Sequence, residues 1–231
     1  MTPNELKQKQ ITINNEITSY SKNNHEFHDP IFDGVVNEEL FLSSKTKPKI
    51  LWILKEPWEK LEENEKGGGW DLVKDLLKDG WHSNKGSYAI MAYVSYSVFN
   101  DFKKYSNISY LTQDSRVGDS LKYIAYINIK KFPGSTSSNK NEISEYFYKY
   151  KDILIKQIKI INPDIIIGGN TLPFFYDYLE IENDYFNKEI SSAWYFKKNN
   201  RLYVHAYHPA QISIPKEKYV DDIVEIIKLY Y

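Results

Sequence analysis

The chain has 231 residues, 42% of them hydrophobic and 16% aromatic, and a formal net charge of −1 at pH 7. This composition predicts a folded globular domain and gives no overall field that would attract nucleic acid. The absence of cysteine excludes disulfides, thiol nucleophiles and zinc or iron–sulfur centres held by cysteine. Residues 1–20 are polar and no apolar stretch approaches the roughly 18 residues of a membrane span, so we expect a cytoplasmic protein without membrane contact.

The N-terminal half begins with a predicted helix over Pro3–Ser21, followed by an irregular segment over residues 23–49. A continuous apolar run predicts a buried strand near residues 49–54. Apolar residues at helical spacing then predict two helices, over Trp70–Leu77 and over Tyr88–Tyr105.

The C-terminal half alternates apolar runs with amphipathic segments. A long apolar stripe from Ile143 to Ile161 predicts a helix that Asn162-Pro163 ends. The remaining predicted elements are strands near residues 123–129, 164–168 and 202–207, a short helix through Leu179, and a closing helix over Tyr219–Leu229.

Strand–helix alternation with apolar, unbroken strands is typical of a mainly parallel sheet covered on both faces. We therefore predict a three-layer α/β/α sandwich with a central, mainly parallel four-stranded sheet. The chain reads as one domain over residues 1–231, with residues 1–47 as an N-terminal extension that packs on it.

Polar or glycine residues follow each of the four predicted strands. They are Glu56 after the first strand, Asn128 at the end of the second, Gly169-Asn170 after the third and His208 after the fourth. In an open parallel sheet, ligands bind outside the carboxyl ends of the strands. A carboxylate, an amide, a glycine turn and an imidazole are therefore expected to meet at one edge.

Glu56 is followed by Pro57, which cannot extend a ladder and so fixes a turn directly after the strand. The carboxylate would then be held rigidly at the sheet edge. The alternative is a surface glutamate that pairs with Lys55 or Lys60.

His208 is held by Pro209 and is a candidate general acid, hydrogen-bond donor or metal ligand, or else a structural loop histidine. Its spacing to Glu56 is not a metal-binding signature, so we expect no metal and no cofactor. Asn128 has an amide that can pair with a pyrimidine edge, although turn-forming asparagines are common.

The Gly168–Thr171 segment lacks the GxGxxG pattern and a P-loop lysine, so it reads mainly as a tight strand–helix turn with Asn170 or Thr171 as the helix cap. Basic residues follow two of the strands and are expected near the same edge: Lys130, Lys131 and Lys216. Surface solvation is the alternative for each of them.

Four motifs in this order resemble those of the uracil-DNA glycosylase superfamily: Ile53–Trp58 (ILKEPW), Tyr126–Gly134 (YINIKKFPG), Asn162–Gly169 (NPDIIIGG) and Tyr207–Ala210 (YHPA). The resemblance covers roughly residues 48 to 215. It departs from the family where Leu54 or Lys55 replaces a usual glycine.

The resemblance implies a monomeric enzyme that flips a base out of single- or double-stranded DNA and hydrolyses its N-glycosidic bond. Glu56 would activate or orient the attacking water, and His208 would donate a hydrogen bond to the base oxygen. Asn128 would read the base, Trp70 or Trp58 would stack on it, and Ile212 would be the apolar wedge. Contacts with the rest of the DNA would be made by Lys55, Lys130, Lys131, Gly169, Asn170 and Lys216.

Substrate choice stays open between uracil and a modified pyrimidine. Two rival functions are a glycosylase-like module that binds nucleic acid or a nucleotide without catalysis, and an unrelated α/β hydrolase. The chain has no G-x-S-x-G elbow, which gives a serine mechanism little support.

Overall fold

The computed structural model of the chain describes residues 1–43, 47–181 and 192–231. Within them it is a mixed α/β protein with a mostly parallel sheet. The strands are β1 (Gly34–Val35), β2 (Ile50–Leu54), β3 (Ala125–Asn128), β4 (Ile165–Gly169), β5 (Ala193–Lys198) and β6 (Arg201–Ala206), in the spatial order β1-β3-β2-β4-β6-β5.

The four strands in the middle of the sheet pair in parallel and correspond to the four predicted ones. Every residue of β2, β3 and β4 is buried, as expected for parallel strands with both faces covered. The predicted strand count is wrong, because the described sheet has six strands. The additional ones, β1 and β5, are antiparallel edge strands.

Strand β5 is joined to β6 by a tight hairpin at Asn199-Asn200, where φ is 51° and 60°. Asparagine tolerates this left-handed conformation, which a two-residue hairpin turn requires at both positions. The hairpin sets the register between β5 and β6, and on its other side β6 pairs with β4, so that Gly169 lies opposite Ala206.

The α-helices of the described residues are α1 (Pro3–Asn23), α2 (Glu38–Ser43), α3 (Gly86–Phe99), α4 (Ser115–Asp119), α5 (Lys140–Ile161), α6 (Tyr176–Leu179) and α7 (Lys216–Tyr230). The longest, α5, begins at the Asn139 cap and ends at Asn162, which adopts a left-handed conformation before Pro163. None of the described helices combines the length and the apolar character needed to cross a bilayer.

Two hydrophobic clusters pack on opposite faces of the sheet. Side chains that alternate along β2 enter different clusters: Trp52 packs with α3 and α7, and Ile53 packs with α1 and α5. Helix α1 contributes Leu6, Ile13 and Ile17 to the second cluster, so much of the N-terminal segment is part of the core.

The predicted helix over Trp70–Leu77 is wrong, because only a π-helical turn forms, over Val73–Leu77. The amides of Gly69 and Leu72 donate to Pro30 and Phe32, and Phe32 donates to Trp70. This extended pairing uses the backbone groups that a helix would need before residue 73.

The helix predicted to reach Tyr105 ends at Phe99, because Asp101 and Phe102 have positive φ values of 58° and 55°. The predicted capping of the short helix after β4 is also wrong. The Thr171 hydroxyl donates to the Ile53 carbonyl at 2.6 Å and does not cap the 3₁₀ turn over Leu172–Phe175.

Candidate active site at the carboxyl edge of the sheet

The carboxyl ends of β2, β4 and β6 meet across Gly169. A Cβ atom on this residue would lie 2.5 Å from Leu54 Cδ2, 3.0 Å from Pro209 Cδ and 3.4 Å from His208 Cα. Glycine therefore allows the turn that carries His208 to cross the end of β4 and approach the end of β2. The predicted convergence of polar residues at this edge has a physical basis in that close approach.

The segment after β2 is anchored to the segment after β3 beyond the ends of both strands. The amides of Ile129 and Lys130 donate to the carbonyls of Leu54 and Lys55 at 3.0 and 2.8 Å, and Gly134 donates to Pro57 at 2.8 Å. This pairing fixes the backbone on both sides of Glu56.

The Glu56 side chain is only 4% exposed. It passes directly over Gly134, where a Cβ atom would lie 2.2 to 2.5 Å from its Cδ, Cγ and Oε2 atoms. Its Oε2 atom lies 3.2 Å from Lys130 Nζ but accepts no hydrogen bond from the described residues. A shielded carboxylate oxygen with unused acceptor capacity is suited to hold a proton donor such as water.

The structure places Lys130 away from the DNA contact predicted for it. Its side chain is 7% exposed and pairs with both Glu56 and Glu142, at 3.2 and 2.6 Å. Its Nζ also lies 5.3 Å from the Tyr146 ring centroid. We therefore treat Lys130 as the residue that positions the Glu56 carboxylate.

Lys131 is 1% exposed and inside the protein, so its predicted role in DNA contact is wrong. Its Nζ donates to Asp33 Oδ1 and to Gln157 Oε1 at 2.5 and 2.9 Å. The lysine and aspartate form a buried ion pair between the segment after β3 and the loop before β1.

His208 is mostly buried, and its Nδ1 accepts a hydrogen bond from the Ala210 amide at 3.2 Å. Burial and the nearby Lys55 charge lower the pKa of His208 to about 4. The ring is then neutral at pH 7, and because Nδ1 accepts, the ring proton is on Nε2. His208 can therefore donate one hydrogen bond without carrying a charge.

The low pKa of His208 predicts an acid-sensitive fold. An unfolded histidine has a pKa near 6.5, so between about pH 6.5 and pH 4 the unfolded chain binds more protons than the folded chain. The free energy of unfolding should fall as the pH is lowered through this window, by up to about 3 kcal/mol for this residue. Urea unfolding at pH 7, 6, 5 and 4.5 measures the slope.

In that series, His208→Gln should flatten the slope and His82→Gln, at an exposed histidine, should leave it unchanged. Burial also lowers the pKa of His205, so part of the slope should persist in His208→Gln. Equal slopes in wild type and His208→Gln would contradict the assignment.

Asn128 lies at the carboxyl edge but is fully buried. Its Oδ1 accepts from the Tyr126 hydroxyl at 2.9 Å, and its Nδ2 is buried without a hydrogen bond from the described residues. The two-point pairing with a base edge predicted for Asn128 is therefore not available in this structure, since Oδ1 is engaged and Nδ2 is enclosed.

The two tryptophan candidates differ in exposure. Trp70 is half-buried against the core, and its Nε1 donates to Glu59 at 3.1 Å. Trp58 is 59% exposed, two residues after Glu56, and its backbone pairs with Gly134. Trp58, rather than Trp70, is thus the indole available to a ligand.

Ile212 is 97% exposed in the loop between β6 and α7, as an apolar wedge would require. Lys216 does not reach the carboxyl edge as predicted, because its Nζ donates to the Asn84 carbonyl at 2.7 Å and lies 5.9 Å from the Tyr93 ring centroid.

The other predicted DNA contacts differ in exposure. Asn170 is exposed, whereas Gly169 is buried under the turn that carries His208. Lys55 pairs with no carboxylate of the described residues and remains a candidate for phosphate contact.

A cavity of about 520 Å³ opens beside this edge, and the sequence patterns did not identify it. His205 lines it, together with side chains from α5 and from the segment after β4. Its wall contains Tyr148, which the amphipathic pattern of α5 places away from the core. An exposed aromatic residue opposite the apolar stripe was the signal available in the sequence.

The described residues contain no group of three histidine, aspartate or glutamate side chains able to hold a metal ion. No protein-family model matches the chain, and no curated protein matches its sequence.

Proposed function

We propose that the protein is a DNA glycosylase that hydrolyses the N-glycosidic bond of uracil or a modified pyrimidine flipped out of DNA. The observation that carries the proposal is the presence of two suitable groups in the loops that follow β2 and β6, at the same edge of the sheet. One is the shielded Glu56 carboxylate, whose Oε2 atom is ion-paired with Lys130 but accepts no hydrogen bond from the described residues. The other is the neutral His208 ring with its proton on Nε2.

In the proposed reaction, the bond between the sugar C1′ and the base nitrogen breaks, and its electron pair leaves with the base. His208 Nε2–H donates a hydrogen bond to the base oxygen on which negative charge develops. One such donor is typically worth about 2.7–4 kcal/mol in a dry site. A neutral donor suits this role because it need not give up its proton.

Water supplies the second half of the reaction. Its oxygen forms the new bond to C1′ and Glu56 accepts its proton, which leaves an abasic site and the base as an anion; the proton held by Glu56 then passes through solvent to the base as it is released. Lys130 acts as a positioning residue, since its Nζ lies between the carboxylates of Glu56 and Glu142.

The target base must leave the helix before it reaches this edge. Exposed Trp58 is the proposed stacking partner, and stacking of a base on an aromatic ring contributes roughly 1–3 kcal/mol. Exposed Ile212 would fill the space that the flipped base leaves. Trp58 and Ile212 lie in the loops that carry Glu56 and His208, so the same two loops would bind the DNA and hold the catalytic side chains.

We further propose that the α/β fold is the three-layer arrangement of the uracil-DNA glycosylase superfamily. The four central parallel strands support this, because they carry the four motifs in the same order along the chain.

A second candidate is a glycosylase-like protein that binds nucleic acid or a nucleotide without catalysis. Two observations favour it: the Oδ1 atom of Asn128 is already engaged by Tyr126, and the Glu56 carboxylate is paired with Lys130. In this alternative the same edge holds a base but breaks no bond.

A base-release assay separates the two candidates. The protein is incubated with single- and double-stranded oligonucleotides that contain uracil or a modified pyrimidine, and abasic sites are cleaved with alkali. Strand cleavage on one substrate identifies the base. Retention of every oligonucleotide without cleavage selects the binding protein, and neither retention nor cleavage rejects both.

A further inference from the structure

The cavity beside the carboxyl edge contains groups that the proposed reaction does not use. Its volume is about 520 Å³, and it is open to solvent. Its lining side chains include Lys55, Lys140, Tyr148, Asn170, Asp177 and Tyr178.

One wall of the cavity is aromatic and rigidly supported. The exposed rings of Tyr148 and Tyr178 both contact the buried ring of Phe147, with centroid distances of 5.5 and 5.9 Å. Phe174, which also lines the cavity, packs on Phe147 at 5.4 Å. Tyr148 is nevertheless 64% exposed, so its ring is available to stack on a planar ligand.

The polar groups of the cavity include two ammonium groups and a carboxylate. Lys55 and Lys140 bring two ammonium groups for which the structure shows no carboxylate partner among the described residues. Their charges suit a phosphate. Asp177 is exposed in the lining and can accept a hydrogen bond from an exocyclic amino group of a base.

The cavity is contiguous with the proposed catalytic edge. Lys55 lines the cavity, immediately precedes Glu56 in the chain, and its charge acts on His208. Asn170, at the other side, follows the glycine over which the His208 turn passes. A ligand in the cavity would therefore lie next to a base bound at the edge.

We propose that this cavity binds a second nucleotide, the neighbour of the excised one in the same strand, with its base on Tyr148 and its phosphate at Lys55 and Lys140. The inference rests on the proposed function in that the neighbour belongs to the substrate strand. A free nucleotide has the same chemistry, and the experiment separates the two sources.

The test measures binding of labelled single-stranded oligonucleotides by fluorescence anisotropy, with Glu56→Gln protein to prevent turnover. One oligonucleotide carries the target base with normal neighbours, and two others lack the base on the 5′ or the 3′ side. Loss of the neighbour on one side should weaken binding roughly tenfold, the effect of one stacked base. Tyr148→Ala should remove that difference.

The matched control is Tyr231→Ala. Tyr231 is 50% exposed and lies near Asp164, at the amino end of β4 and so at the opposite edge of the sheet. This variant should keep the tenfold difference. A second variant, Lys140→Gln, should weaken all three oligonucleotides alike, because it removes a phosphate contact.

Titration of wild type and Tyr148→Ala with dAMP, dCMP and dTMP by calorimetry gives a readout that needs no glycosylase activity. Binding lost in Tyr148→Ala supports a nucleotide site even if no base is ever released, and a preference for dAMP and dCMP over dTMP supports the Asp177 contact. If Tyr148→Ala weakens the binding of oligonucleotides but not of free nucleotides, the occupant of the cavity is the neighbouring nucleotide of the substrate strand. No effect of Tyr148→Ala or Lys140→Gln in either assay overturns the inference, and base release by the wild-type protein then shows whether the proposed function survives it.

Discussion

Replacing Glu56 with glutamine should lower the rate of base release by about 100- to 10,000-fold, the usual effect of removing a general base. Glutamine keeps the shape of the side chain over Gly134 but cannot accept a proton from water. Single-turnover alkali cleavage of the substrate found in the base-release assay measures this rate. The fold should survive, because Lys130 keeps its contact with Glu142 at 2.6 Å.

The matched control is Glu142→Gln. This residue shares Lys130 with Glu56, but its side chain is 42% exposed and belongs to the first turn of α5. We expect its rate to stay within a few-fold of wild type. Equal losses in the two variants would show that the effect comes from disturbing Lys130 and not from losing the Glu56 base, and an active Glu56→Gln protein would remove Glu56 from the mechanism.

Asp33→Asn should lower the free energy of unfolding by about 3–5 kcal/mol, the cost of breaking a buried ion pair by removing one charge. Asp33 is 4% exposed. Its carboxylate also accepts hydrogen bonds from the backbone N–H of Asn128 at 2.7 Å and from Gln157 Nε2 at 3.0 Å. Burial lowers the pKa of the Lys131 ammonium, and the charge of Asp33 opposes that shift. Loss of the carboxylate therefore leaves a buried ammonium group without its charge partner.

Urea unfolding followed by tryptophan fluorescence measures the effect. Lys131→Met alone should also destabilise, whereas the double variant should lose less than the sum of the two. Lys66→Met and Asp29→Asn are the controls, since that ion pair is 56% exposed on both sides and such pairs contribute about 0–1 kcal/mol. A loss in Asp33→Asn no larger than in Asp29→Asn would contradict the prediction.

The sequence predicts the centre of this fold better than its edges. Strands β2, β3, β4 and β6 are predicted correctly because each is a short, unbroken apolar run, which is typical of a strand covered on both faces. Strand β5 is not predicted although Ala193–Phe196 (AWYF) is apolar, because the run is short, two lysines follow it, and its residues alternate between buried and partly exposed at the edge of the sheet. The Asn199-Asn200 pair between β5 and β6 is a hairpin signal, but it becomes informative only when a strand is predicted on both sides of it.

At the candidate site, the sequence indicates which residues follow the strands but not which way they point. Lys130 and Lys131 are neighbours with the same charge, yet one positions a carboxylate at the edge and the other is buried against Asp33. Their partners are far away in the chain, at Glu56 and Asp33. Tertiary contacts of this kind leave no local pattern.

The hydrogen bonds that continue from β2 and β3 into the loops beyond them have a consequence for local stability. The amides of Ile129, Lys130 and Gly134 are held by the segment that carries Glu56. Such amides exchange with solvent only when the unit to which they belong opens. We therefore expect the proposed catalytic carboxylate to open together with the central strands, so that heat abolishes activity at the temperature where the sheet melts, with no earlier fraying of the site.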